Sequence, residues 1–126
     1  MAADLVLIVA EDSEDARPFE ESLQELGLTT RILDYRDNVK EFLPPEGVRG
    51  AVLVMRDVNE QGIAKVIKIR SACGKASPLL AAGPNWTRTS VLQAVKYGAC
   101  DIVVTPATTE EIKGKVGVHL KTAPVS

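Results

Sequence analysis

The feature that most constrains this chain is a short apolar run that ends abruptly in a polar loop. Residues 50–55 read GAVLVM, and a polar loop from Arg56 to Gly62 follows. An uninterrupted apolar run of this length is typical of a strand covered on both faces, as in a parallel sheet. Ligands of such sheets bind just beyond the carboxyl ends of the strands. Met55, the last residue of the run, therefore limits the chemistry available to the protein.

Four other short apolar runs alternate with segments of helical periodicity. The predicted strands cover residues 4–10, 29–35, 50–55, 78–83 and 101–105, and the last two precede Pro84 and Pro106. Five helices are predicted between and after them. Because proline is tolerated only in the first helical turn, Pro18 predicts that the first helix begins near Ala16, with Asp15 as its N-cap. Strands that alternate with helices predict a parallel sheet with helices on both faces.

Composition excludes several classes of function. The net charge of −2 and the absence of a Lys/Arg run give no reason to expect nucleic-acid binding. No apolar run approaches the roughly 18 residues of a membrane span, and we expect a cytoplasmic protein. Cys73 and Cys100 lack a CxxC spacing, so buried reduced thiols are expected. The single histidine, His119, leaves little material for a histidine-based catalytic or zinc site.

The chain resembles a response-regulator receiver domain over essentially its whole length. The similarity rests on the first strand with its acidic end, Glu11-Asp12, on the helix start after Pro106, and on the segment 94–106, AVKYGACDIVVTP. The usual family form of that segment is A-x-x-x-G-A-x-D, three apolar residues and K-P. The resemblance implies a flavodoxin-like, doubly wound α/β fold with strand order 2-1-3-4-5 and five helices. We assign it to residues 1–122, with 123–126 as a disordered tail or the start of a linker.

In the family, an Asp at the end of the third strand accepts a phosphoryl group. Two acidic residues after the first strand hold Mg²⁺, a Lys at the end of the fifth strand pairs with the phosphoryl group, and a Thr or Ser after the fourth strand bonds it. Only the acidic pair, Glu11 and Asp12, matches here. The acceptor position falls on Met55, the Thr/Ser position on Gly83 or Ala82, the Lys position on Thr105, and the switching aromatic on Ile102.

These departures remove the nucleophile, the cationic partner and the switch. The resemblance therefore implies a pseudo-receiver that is not an enzyme, needs no cofactor and acts through protein contacts. The expected contact surface is the fourth helix, the fifth strand and the fifth helix, where the family dimerises or meets its outputs. Trp86, Val91, Tyr97 and Ile102 are the residues that we expect on this surface.

Two alternatives remain open. If the alignment slides by two residues, Asp57 becomes the phosphoryl acceptor and Glu11 and Asp12 hold Mg²⁺, but Arg56 then lies inside a buried strand. The acidic pair could also bind Mg²⁺ weakly without phosphotransfer. A small flavodoxin-like enzyme or nucleotide binder is disfavoured because the sequence has no Gly-rich phosphate loop and no Ser/His/Asp or Cys/His set.

Overall fold

The computed structural model describes residues 4–74 and 76–121, without the side chain of Lys121. These residues form five strands and four α-helices, with a helical segment after each strand. The strands are β1 (Leu5–Ala10), β2 (Thr29–Asp34), β3 (Gly50–Val54), β4 (Leu79–Gly83) and β5 (Asp101–Val104). The α-helices are α1 (Ser13–Glu25), α2 (Glu60–Cys73), α3 (Arg88–Tyr97) and α4 (Thr109–Val116). A π-helical turn, Gly117–Lys121, follows α4.

All strand pairs of the sheet are parallel, and the strand order is β2-β1-β3-β4-β5. The register places Ala10 beside Val54 and Val54 beside Ala82, so the three central strands end at the same edge. This confirms the predicted flavodoxin-like α/β fold and its strand order.

Alternate residues of the central strands point into two separate cores. Val6, Ile8, Val52 and Val54 pack under α1 and α4, whereas Leu7, Val9, Leu53 and Met55 pack under α2 and α3. Period-two alternation with both faces apolar is what a sheet covered on both sides requires. Met55 therefore continues the α2/α3 face of β3, one residue beyond the strand.

The structure differs from the sequence prediction at two helices. The predicted second helix is a single 3₁₀ turn, Val39–Phe42, so the structure has four α-helices rather than five; Pro44 and Pro45 follow too closely for a longer helix. The predicted start of the first helix at Ala16 was wrong. Asp12 caps α1 by accepting the Glu14 amide at 2.9 Å, and Pro18 lies inside the helix. The predicted tail, 123–126, lies outside the described residues.

Thr87 and Thr108 are the N-caps of α3 and α4. Each forms a capping box in which its hydroxyl accepts the amide of the third helical residue, Ser90 or Glu111. Both cysteines are free, as expected, but only Cys73 is partly buried, and Cys100 is exposed. Among the described residues, no helix combines the length and the apolar character needed to cross a membrane.

Candidate functional site

A cavity of about 460 Å³ opens at the carboxyl edge of the sheet, between α1 and the loop after β5. Its walls are mostly apolar, and Glu14, Asp15, Arg56 and Thr105 supply its polar groups. The position agrees with the rule that open α/β sheets bind ligands beyond the ends of their strands. The apolar lining consists of Pro18, Phe19, Val54, Met55, Pro84, Pro106, Ala107 and Ile112.

Met55, at the acceptor position, is only 2% exposed. Its backbone amide donates to the carbonyl of Ala82 at 2.8 Å, which extends the β3–β4 pairing by one residue. Its side chain packs against Gly62 of α2 and belongs to the core under α2 and α3. A thioether held in this way fills space, and it offers neither a phosphoryl acceptor nor an oxygen ligand for a hard cation.

Gly83, at the Thr/Ser position, has no room for a side chain. A Cβ atom placed there would lie 2.6 Å from Cγ2 of Val58 and 3.5 Å from Cβ of Met55. Val58 lies in the loop between β3 and α2 and packs on the same core. The loop has therefore closed over the space that a hydroxyl-bearing side chain would need.

Thr105, at the Lys position, lies directly after β5. Its amide donates to the carbonyl of Gly83 at 2.9 Å, and the residue borders the cavity without filling it. The Thr105–Pro106 peptide bond is cis. A threonine hydroxyl carries no charge, so this position contributes nothing to the neutralisation of a phosphoryl group.

Arg56 contacts three carboxylates near the start of α1. Its amide donates to Oε2 of Glu11 at 2.7 Å, its Nε donates to Oδ2 of Asp15 at 2.8 Å, and its second guanidinium nitrogen lies 3.0 Å from Oδ2 of Asp12. The hydrogen bond to Asp15 and the charge of Asp12 raise the pKa of Arg56. This role was not predicted from the sequence, although Arg56 is the only basic residue of the loop 56–62.

The residues present do not fit the Mg²⁺ that receiver domains usually hold and that the alternative with Asp57 requires. A hard divalent cation needs several oxygen ligands, and the position of the third carboxylate is taken by the buried Met55. Asp12 and Asp15 already bind a guanidinium. Within residues 4–74 and 76–121, no group of three or more Asp, Glu, His or Cys side chains is arranged to hold a metal ion.

Asp57, the alternative acceptor, is an exposed loop residue that follows β3 by three positions. Its side chain accepts a hydrogen bond from Asn59, the N-cap of α2, at 3.3 Å. Among the described residues, those that line the cavity do not include Asp57. Its carboxylate is thus part of the polar loop and does not line the cavity.

Trp86 connects the loop after β4 to the edge strand β5 through a hydrogen bond. Its indole N–H donates to the carbonyl of Val103 at 3.3 Å, and its ring packs on the core under α2 and α3. Val91, Tyr97 and Ile102, the other residues expected at a contact surface, are each partly buried. The exposed large apolar side chains on the same part of the molecule include Leu92, Val95, Val104 and Val118.

No family model matches this chain, and no curated protein matches it by sequence. Solved structures do match. A response regulator from Thermotoga maritima has a TM-score of 0.75 at 16% identity, over 97% of this chain and 100% of that chain. An orphan response regulator of H. pylori has a TM-score of 0.75 at 14% identity, over 92% and 95%.

A third structure is that of an atypical orphan response regulator for which a phosphorylation-independent regulatory mechanism is described. It has a TM-score of 0.74 at 14% identity, over 97% of this chain and 99% of that chain. At such identities the similarity establishes the fold. The chain has the CheY-like fold of response-regulator receiver domains, as the sequence resemblance implied.

Proposed function

We propose that this chain is a pseudo-receiver of two-component signal transduction, a cytoplasmic module that regulates through protein contact without accepting phosphate. The buried Met55 is the observation that carries this proposal, because the side chain at the acceptor position is neither nucleophilic nor accessible. The crowding at Gly83 and the uncharged Thr105 agree with it, since a phosphoryl group would find neither a hydroxyl after β4 nor a lysine at the end of β5. The neighbour described as phosphorylation-independent supports the same function.

The contact surface that we propose is the β5 face, formed by β5 and by α3 and α4, which are the fourth and fifth helices of the sequence prediction. β5 is an edge strand, and edge strands with exposed apolar side chains are prone to pair with other chains. Val104 on β5 and Leu92 on α3 are each 60% exposed. Ile102, Val104 and Val118 also line a groove between β5 and α4. An apolar edge of this kind suits a second copy of the chain or another protein.

Sedimentation analysis of surface variants tests this proposal. We expect the wild-type chain to self-associate to the same extent with and without acetyl phosphate and Mg²⁺. Val104→Glu and Leu92→Glu should abolish the association, because each places a charge on the apolar face. Ile67→Glu is the matched control, since Ile67 is a 45% exposed apolar residue on α2, outside the β5 face.

The outcomes separate the parts of the proposal. Association that increases with acetyl phosphate would contradict phosphate independence. Dissociation by Ile67→Glu as strong as that by Val104→Glu would contradict the assignment of the β5 face. A monomeric wild type would refute self-association and would leave a different protein as the partner.

A further inference from the structure

The strongest unexplained feature of the cavity is the position of Arg56. Its guanidinium lies between Asp12 and Asp15, at 3.0 Å and 2.8 Å, and its backbone amide is bound to Glu11. We infer that Arg56 is a built-in counter-ion that takes the place of the divalent cation, so that the acidic end of β1 no longer binds Mg²⁺. The inference rests on the proposed function, because it explains how this carboxylate cluster is stable without metal.

The chemistry of the two cations supports the inference. A guanidinium presents several N–H donors in a planar fork and can engage two carboxylates at once. Mg²⁺ would have to displace this fork and would gain no oxygen ligand from the side chain of Met55 in return. The Arg56 side chain is 59% exposed, so each ion pair is weak by itself, but Asp12 and Asp15 share its guanidinium while Glu11 accepts its backbone amide.

The same contacts fix two segments of the fold together. Asp12 caps α1 through the Glu14 amide while its other oxygen binds Arg56, so the helix start and the loop after β3 share one hydrogen-bonded group. Glu11 holds the backbone of that loop at Arg56. Arg56 thereby keeps the rim of the cavity in one arrangement, whether or not divalent cations are present.

Paramagnetic broadening of backbone amide signals by Mn²⁺ tests the inference on the full chain. We expect no saturable broadening in the wild type. Arg56→Gln should bind Mn²⁺ at least about ten-fold more tightly, with broadening centred on residues 11–15, because removal of one positive charge a few ångströms away has an effect of this order. Arg17→Gln is the matched control, since Arg17 is exposed on α1 and forms an ion pair with Glu14 at the longer distance of 3.8 Å.

Arg56→Lys separates charge from loss of packing. It keeps the positive charge and should bind Mn²⁺ as weakly as the wild type. Equal binding by the wild type and Arg56→Gln would overturn the inference, as would an equal gain in Arg17→Gln or in Arg56→Lys. These results are independent of phosphate labelling, so the inference can fail while the proposed function stands.

Discussion

The sulfur of Met55 lies 2.6 Å from the point that a Cβ atom of residue 62 would occupy. Met55 can turn under α2 only because residue 62, in the first turn of that helix, is glycine. Asn59 secures the same turn by accepting the Gly62 amide at 2.8 Å. The side chain at the acceptor position and the following helix are therefore packed as one unit.

Gly62→Ala should destabilise the protein by about 1–3 kcal/mol, because the new methyl group overlaps a packed side chain that is 2% exposed. Urea unfolding measures the change. Gly114→Ala is the matched control: a Cβ there meets nothing within 4 Å, so the substitution should stabilise α4 by up to about 1 kcal/mol. In a Met55→Ala background the penalty at residue 62 should largely disappear, and a penalty that persists would contradict the proposed overlap.

Restoring the hydroxyl at the Thr/Ser position should also be costly. Gly83→Ser places Cβ 2.6 Å from Val58 and should lower the free energy of unfolding by about 1–3 kcal/mol. Adding Val58→Ala should recover part of that loss, because it removes the methyl group that Cβ meets. Thermal or urea unfolding of both variants is the test. If Gly83→Ser alone were as stable as the wild type, the loop that carries Val58 would have moved aside without cost, which would contradict the proposed crowding.

The pH dependence of stability should report on Asp101. Partial burial acts to raise its pKa, but hydrogen bonds from the Ile102 amide, Lys115 and His119 outweigh burial and lower the pKa below its ordinary value. A lowered folded-state pKa stabilises the fold above the unfolded value, about 3.9, and this contribution is lost as the pH falls through the folded pKa.

Asp101→Asn should therefore cost about 1 kcal/mol at neutral pH, and the difference from wild type should shrink below about pH 4. Unfolding curves measured across that pH range provide the test. Glu110→Gln is the control, because Glu110 is an exposed residue whose ion pair with Lys113 is long, at 3.8 Å. A cost of Asp101→Asn that stays constant down to pH 2 would contradict the role of the charge.

Cys73 should react slowly in the native state. Burial raises its pKa to about 11, so at pH 8 its thiolate is about a hundred-fold scarcer than that of an unperturbed thiol. Alkylation by iodoacetamide in a Cys100→Ser background, native against urea-unfolded, measures this difference. Equal rates in the two states would contradict the burial of this thiol.

The fold could be predicted from the sequence because each buried strand is a short apolar run between polar segments. The start of α1 was mispredicted because Pro18 was assumed to lie in the first turn. In the structure Asp12 caps the helix earlier, and Pro18 lies inside the helix, where it borders the cavity. The predicted second helix is only a 3₁₀ turn because Pro44 and Pro45 follow it almost directly.

The site could be predicted only in part. The replacement of the acceptor by Met55 is visible in the sequence, since it needs only the position of β3. The hydrogen bond between Arg56 and Asp15 joins residues that are 41 positions apart in the sequence. An arginine in one loop and an aspartate at a helix start do not by themselves predict that the two side chains meet. The closure of Val58 over Gly83 likewise depends on the path of a loop, which apolar periodicity does not fix.

Mass spectrometry of the purified chain after incubation with acetyl phosphate and Mg²⁺ tests the central claim most directly. We predict no gain of a phosphoryl group, because the acceptor position holds a buried thioether and the cation position is filled by Arg56. A phosphoryl group that appears on the wild type and disappears in Asp57→Asn would contradict the account and would establish Asp57 as the acceptor.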